Sequence, residues 1–211
     1  MRLNWDAPGA RYYEMGVDRG VLYVGADAGV AWTGLISVAE APSGGEAKPY
    51  YLDGEKYLNL SASEEFEATI TALGAPREFG PCEGQKSIQN GLIVTHQPRV
   101  QFGFSYRSRI GNDTEGSEHG YKIHLVYNAL AKPADRSWST TTSDASPVTF
   151  SWGITTLAPS ITGLKPTAHL VVDSRYTDND VLAAVEALLY GDEAVNASLP
   201  SPDDLIAIFS A

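Results

Sequence analysis

Few residues in this 211-residue chain combine a reactive type with a spacing that chemistry needs. Glu65 and Glu67 lie two positions apart, so in a strand both carboxylates project from one face, roughly 7 Å apart, as in some glycosidase pairs. Thr69 and Thr71 continue the same period. A solvent-facing polar stripe therefore accounts for all four residues, and the pair favours a polar surface over a catalytic site.

The remaining reactive side chains are scattered. Cys82 is the sole cysteine and has no base near it in sequence, and residues 80–87 have glycine spacing too short for a phosphate-binding loop. The histidines lack the short spacings of metal-ligand motifs. They are His96, His119, His124 and His169. We therefore predict no catalytic residue, no metal and no cofactor, and the sequence does not favour an enzyme.

The composition also excludes classes of partner. Acidic residues outnumber basic ones by 26 to 15, for a formal net charge of −11. This is the reverse of what phosphate neutralisation requires, so tight general nucleic-acid binding is excluded. The acidity serves either solubility or function, and the sequence leaves both open. No run approaches the ~20 apolar residues of a membrane span, and residues 1–6 contain no apolar signal core, so we expect no membrane span and a cytosolic site of synthesis.

The elements that must position these side chains are mainly strands. From Arg99 to Ala131, apolar and polar residues alternate on both sides of a turn-rich segment over residues 111–120. This pattern predicts two antiparallel strands of about a dozen residues each, against a usual length of about five or six. Barrels and assembled sheets use such lengths because neighbouring strands or subunits cover the edges. We predict a mainly β fold, a β-sandwich or partial barrel.

Shorter signals predict the other elements. Asp53-Gly54 between β formers predicts a hairpin with a type I′ turn in which Leu52 opposes Glu55 and Tyr50 opposes Tyr57. Helical spacing after an N-cap-like segment predicts one flanking C-terminal helix over residues 178–190, followed by a short final turn. Alternating runs predict further strands over residues 21–24, 31–38, 65–72, 148–155 and 167–173.

Composition divides the chain into an arm and one domain. Residues 1–20 lack periodicity and contain several Gly and Pro, which predicts an extended N-terminal arm before a single β domain over residues 21–211. Residues 74–98 are rich in Gly and Pro and too long for a passive connection, so we predict an interaction loop. Residues 131–147 are rich in Ser, Thr and Asp, which predicts a mobile segment.

Several segments share their order and spacing with one family of structural proteins. They are residues 51–59 (YLDGEKYLN), 102–107 (FGFSYR), 111–113 (GND) with 120–128 (GYKIHLVYN), 166–174 (PTAHLVVDS) and 188–191 (LLYG). Together they resemble the major tail tube protein of long-tailed, non-contractile bacteriophages. The resemblance extends over residues 12–200.

That resemblance implies a structural virion protein, located in the tail and in the host cytoplasm during assembly. Copies would form rings, as homohexamers whose inner sheets join into a β-barrel, and rings would stack around a tape-measure protein. A tail terminator and a distal tail protein would be further partners, and DNA would pass through the lumen without specific binding. Candidate lumen-facing residues are then Glu65 and Glu67, and candidate inter-subunit loop residues are Arg77, Glu78, Phe79 and Lys86.

Other functions stay open at this point. A distal tail or tail terminator protein has a related fold but forms a single ring and does not polymerise. A β-sandwich carbohydrate-binding module would show a row of exposed aromatic side chains. A hydrolase is a third alternative, which the lack of a catalytic constellation disfavours.

Overall fold

The computed structural model describes residues 3, 5, 7–140 and 147–210, which are mainly antiparallel β structure with two helices near the C-terminal end. The strands are β1 (Tyr12–Val24), β2 (Val30–Trp32), β3 (Leu35–Glu40), β4 (Ser43–Gly44), β5 (Ala47–Leu52), β6 (Glu55–Ser61), β7 (Glu64–Glu65), β8 (Glu67–Ala72), β9 (Lys86–Gln89), β10 (Leu92–Val94), β11 (Phe102–Asn112), β12 (Gly116–Ala131), β13 (Phe150–Thr156) and β14 (His169–Asp173). The helices are α1 (Asn179–Tyr190) and α2 (Pro202–Phe209). The predicted mainly β class is confirmed.

The long hairpin predicted between Arg99 and Ala131 is confirmed as β11 and β12. These strands lie at the centre of a sheet with the order β2-β1-β11-β12-β13-β8-β3, and β14 also pairs with β12. The turn between them is shorter than predicted, because Asn112 Oδ1 accepts hydrogen bonds from the backbone N–H groups of Thr114 and Glu115. Such a side-chain-capped turn lets both strands continue almost to the tip.

Strand β1 differs from the sequence prediction. It begins at Tyr12 and pairs with β11 from Tyr12↔Asn112 to Val24↔Phe102, so residues 12–20 belong to the sheet and not to an arm. The register shifts between Met15 and Val17 and again between Asp18 and Val21. Each irregularity breaks the two-residue alternation by which a strand is recognised in sequence.

The main sheet curls around an inner aromatic core. The Trp32 ring lies 4.7 Å from that of Phe79 and 5.5 Å from that of Trp152. Trp32 is on β2 and Trp152 on β13, which are separated by three strands in the sheet order, so the sheet must bend to bring them together. Among the described strands β2 and β3 do not pair with each other, and the result is a partial barrel without closure.

The outer face of the sheet is covered by the helices. Leu182, Val185 and Leu189 of α1 pack against a second core that includes Ile123 and Leu125 of β12. The predicted helix over residues 178–190 is confirmed, with the Asp178 side chain accepting from the N–H of Asp180 as N-cap. The predicted short final turn is the helix α2. The central strands are therefore buried on both faces, whereas the alternation in the sequence indicates burial of one face only.

The predicted loop over residues 74–98 is partly ordered and tied to the inner core. It contains a 3-10 helix (Arg77–Glu83) and the β9–β10 hairpin. Phe79 and Cys82 are fully buried, and the Trp32 Nε1–H donates to Gly74 O at 2.8 Å. The loop is therefore anchored at its first half.

Part of the segment predicted to be mobile, residues 141–146, lies outside the described residues. Within the described chain, neither helix has the length and apolar character needed to cross a bilayer.

Candidate functional site

The β5–β6 hairpin is the most exposed apolar element. All residues of both strands are exposed, and among the described strands β5 and β6 pair only with each other. Its exposed large apolar side chains are Tyr50, Tyr51, Leu52, Tyr57, Leu58 and Leu60. An isolated two-stranded hairpin is marginally stable in water, and exposed apolar patches mark interaction sites. This hairpin is a candidate contact surface.

The turn of this hairpin follows the sequence prediction, but the strand register follows it only next to the turn. Asp53 and Gly54 both have positive φ, at 52° and 83°, as a type I′ turn requires, and Leu52 opposes Glu55 as predicted. However, Tyr50 opposes Leu58 and not Tyr57, because β6 contains one extra residue between the partners of Tyr50 and Tyr51. This bulge shifts the pairing of the residues beyond it.

A cleft lies beside the β9–β10 hairpin. It has a volume of about 1230 Å³, and Arg77, Glu78 and Lys86, three of the four predicted inter-subunit residues, line it. All three are exposed. The fourth, Phe79, is fully buried against Trp32 and the other inner-core rings, so its side chain anchors the loop within the subunit.

The two predicted lumen-facing glutamates have different surroundings. Glu65 is exposed on the short strand β7, where it pairs with Ser43 of β4. Glu67 accepts hydrogen bonds from Lys132 Nζ and, at 2.8 Å, from Ser43 Oγ, and these donors hold the pKa of its carboxyl below the usual value. Glu67 is thus paired with Lys132. Glu65 takes part in none of the ion pairs found among the described residues.

The sheet also brings together three side chains that sequence analysis treated as unrelated. His124 on β12 and His169 on β14 are diagonal neighbours on one face, because His124 opposes Val171 and His169 opposes Val126. His124 Nδ1 lies 3.1 Å from His169 Nε2. Glu40, the last residue of β3, places Oε1 3.3 Å from His124 Nδ1. One ligand atom from each of the three residues lies within 4.8 Å of the other two, a grouping that could hold a metal ion.

The surroundings of the two histidines are aromatic, whereas Glu40 is exposed. The ring of Tyr106 stacks on that of His124 at 4.5 Å, and the ring of Phe66 lies 4.4 Å from that of His169. Burial lowers the pKa of His124 to about 4, with the neighbouring His169 adding to the effect, and burial also lowers the pKa of His169. Both imidazoles are therefore neutral at pH 7, the form in which histidine binds metals.

Sequence spacing could not have found this cluster. His124 and His169 are 45 residues apart in sequence. Glu40 belongs to β3, which lies three places from β12 in the sheet order and is brought near by the curl of the sheet. The local signal in the sequence is a histidine on the polar face of a predicted strand, which favours a structural or surface role over metal binding.

Comparisons with known proteins give only distant similarities. No family model matches the chain, and no curated protein matches it. A cryo-EM structure titled as the PVC sheath-tube complex of an extracellular contractile injection system, in its extended state, contains a chain that is 13% identical, with a TM-score of 0.39. The match covers 74% of this chain and 88% of that chain. The anti-feeding prophage cap, described as the AFP tube terminating cap, is 11% identical with a TM-score of 0.41, covering 82% of this chain and 95% of that one.

At these identities and TM-scores, neither similarity establishes the function of this chain. The first of these structures is of a contractile system by its title, whereas the sequence segments resemble proteins of non-contractile tails. The functional proposals below therefore depend on the surfaces and contacts of the chain itself.

Proposed function

We propose that this protein is a structural subunit that assembles with copies of itself into stacked rings, as the tail tube of a phage-type particle. The observation that carries the proposal is the β5–β6 hairpin, whose apolar side chains are uncovered on both faces. Burying them against a neighbouring copy would gain roughly 25 cal/mol for each Å² of apolar surface removed from water. A catalytic role is not part of the proposal.

The charge of the hairpin favours contact between identical copies. Each subunit has a net charge of −11, so copies repel one another overall. Residues 47–61 contain two lysines, Lys48 and Lys56, and two acids, Asp53 and Glu55, and are therefore locally neutral. This element can approach an acidic neighbour with less repulsion than the rest of the surface.

The open sheet supports a ring. Its curl forms a partial barrel, and β2, β3 and β14 each have one strand partner among the described strands. Unpaired strand edges attract further strands, and pairing between subunits would remove them. The length of β11 and β12, at 11 and 16 residues, suits a wall shared by several subunits. A homohexamer is the ring that the sequence resemblance implies.

The remaining partners follow from the same proposal. The cleft with Arg77, Glu78 and Lys86 would contact an adjacent subunit or ring, and Glu65 and Glu67 would face the lumen. The tube would enclose a tape-measure protein, end at terminator and distal tail proteins, and conduct DNA within the virion tail. None of these contacts needs a cofactor.

Electron microscopy of the purified full-length chain tests the proposal. At rising concentration we expect rings or open tubes by negative staining. The double substitution Tyr51→Ser with Tyr57→Ser should abolish them while leaving the melting temperature unchanged, because both side chains are more than 60% exposed in the single subunit. Tyr176→Ser is the matched control, since Tyr176 is 83% exposed but lies outside the hairpin; it should assemble normally.

The other outcomes separate the alternatives. Single rings that never stack would favour a terminator or distal tail protein. A globular monomer at every concentration would contradict the proposal, and if that monomer bound a glycan array through the exposed tyrosines of the hairpin, a carbohydrate-binding module would replace it.

A further inference from the structure

We infer that Glu40, His124 and His169 form a binding site for a divalent transition-metal ion, of which Zn²⁺ is the best match. The site lies where the end of β3 approaches β12 and β14. It is independent of assembly, because all three ligands come from one subunit.

The distances between the ligand atoms fit a tetrahedral ion. Zn²⁺ binds histidine nitrogen and carboxylate oxygen at about 2.0–2.2 Å, so two ligands of one tetrahedron are about 3.3 Å apart. His124 Nδ1 lies 3.1 Å from His169 Nε2 and 3.3 Å from Glu40 Oε1. Because one ligand atom from each residue lies within 4.8 Å of the other two, a small adjustment of the side chains would bring three ligands to one ion, with the fourth position left for water.

One proton on His124 Nδ1 cannot serve both of the contacts that this nitrogen makes. If His124 Nδ1 carries a proton, that proton can point at His169 Nε2 or at Glu40 Oε1, but not fully at both. If Nδ1 is unprotonated, its lone pair faces the carboxylate oxygen. A divalent cation at the centre accepts lone pairs from all three atoms at once.

Neighbouring groups orient the ligands as metal sites require. His124 Nε2, the nitrogen that faces away from the cluster, is 3.0 Å from Ser108 Oγ. A bond from Nε2–H to the hydroxyl leaves Nδ1 as the free ligand nitrogen. The Tyr106 hydroxyl donates to Glu40 Oε1 at 2.5 Å. Metal-binding histidines and carboxylates are commonly held by outer hydrogen bonds of this kind.

The ligand types select the ion. Two imidazoles and one carboxylate suit Zn²⁺ and its neighbours Co²⁺, Ni²⁺ and Cu²⁺, whereas Mg²⁺ and Ca²⁺ prefer oxygen ligands throughout. The ion would act as a cross-link, because Glu40 ends the edge strand β3 and both histidines belong to the β12–β14 pair. A bound ion would thus hold the curled sheet together near its open side.

Calorimetric titration of the untagged, full-length chain with ZnCl₂, kept at a concentration where it is monomeric, tests the inference. We expect one equivalent per chain and a higher melting temperature with Zn²⁺, and no binding of Mg²⁺ at the same concentration. Glu40→Gln and His169→Gln should each weaken Zn²⁺ binding by at least about 10-fold, since each removes a ligand that Zn²⁺ prefers. Both are near-isosteric changes at positions that are not fully buried.

The control is His96→Asn, which removes an exposed histidine from a backbone position with φ of 63° that asparagine tolerates. It should bind one Zn²⁺ as tightly as the wild type. No Zn²⁺ binding by the wild type, or equal binding by the wild type, Glu40→Gln and His169→Gln, would overturn the inference and leave the cluster as a hydrogen-bonded network. Loss of binding in His96→Asn alone would also overturn it. Co²⁺ substitution adds a readout, because a tetrahedral Co²⁺ site gives visible absorption that a loosely bound ion lacks.

Discussion

At the scale of single residues, Asp18 shows how one side chain fixes an irregular strand. Arg107 binds both of its carboxylate oxygens, at 2.6 and 2.9 Å, and Arg109 Nε donates to Oδ2 at 2.9 Å. Arg107 also stacks over the ring of Tyr121 at 4.6 Å. Asp18 lies between the two register shifts of β1, so these ion pairs hold β1 to β11 where the alternation fails. Hydrogen bonds from Arg107 hold the pKa of Asp18 below its usual 3.8.

Asp18→Asn should therefore destabilise the protein in a pH-dependent way. A lowered folded-state pKa adds stability above the unfolded value, near pH 4, and this stability is lost as the pH falls through the lowered pKa. Because the carboxylate is partly exposed, we expect the free energy of unfolding of Asp18→Asn to be lower than that of the wild type by on the order of 1 kcal/mol at neutral pH. Urea unfolding at neutral pH and at a pH below the folded-state pKa measures it.

The difference in unfolding free energy between the wild type and Asp18→Asn should become smaller in acid, where wild-type Asp18 is also uncharged. Asp53→Asn, in the exposed hairpin turn, is the control and should leave the stability unchanged at both pH values. A deficit that is equally large in acid would show that Asp18 acts through something other than its charge.

Residue-level prediction from sequence failed where partners come from different strands. Alternation places His124 on the polar face of β12, yet its side chain is buried beside Tyr106. Alternation tells which residues share a face but not whether a curled sheet encloses that face. The cluster with Glu40 and His169 depends on this enclosure and on the β12–β14 register, and neither is encoded locally.

At the scale of elements, regular patterns were predictable and irregular ones were not. The long strands, the Asp53-Gly54 turn and the capped helix α1 each have a local signal that packing reinforces. The first half of β1 has two register shifts and was interpreted as an arm. Residues 74–98 were interpreted as a loop because their Gly and Pro content hides a 3-10 helix anchored by Phe79, whose partners are distant in sequence.

The anchored loop gives an element-level prediction at Gly84. This residue follows the 3-10 helix with φ of 77°, and a Cβ there would lie 2.5 Å from Gln97 O. Gly84→Ala should therefore lower the free energy of unfolding by roughly 2–5 kcal/mol, because left-handed backbone strain and a backbone clash add together. Gly91→Ala has the same kind of φ, 84°, but no atom within 4 Å of its Cβ, so strain alone should cost about 1–2 kcal/mol. Chemical denaturation compares the two, and equal costs would mean that residues 84–97 are not packed as described.

At the scale of the whole molecule, charge limits how copies can combine. A ring of six would multiply the net charge of −11 sixfold, and salt screens such repulsion only beyond about 8 Å at physiological strength. Cohesion must then come from neutral apolar contacts such as the β5–β6 hairpin. The exposed acids are best placed where subunits face solvent, and in the proposed tube a lumen lined with them would repel DNA phosphates.

This placement predicts the labelling of Glu65→Cys in assembled tubes. The native Cys82 adds no background, since it is fully buried and burial raises the pKa of its thiol to about 12. A small maleimide should label Glu65→Cys in tubes and in single subunits, because a lumen admits small molecules. A maleimide carried on a polymer too large for the lumen should label single subunits only, as measured by the mass of the modified chains. Labelling of intact tubes by the large reagent would place Glu65 on the outer surface, and protection from both reagents would place it in an interface between subunits.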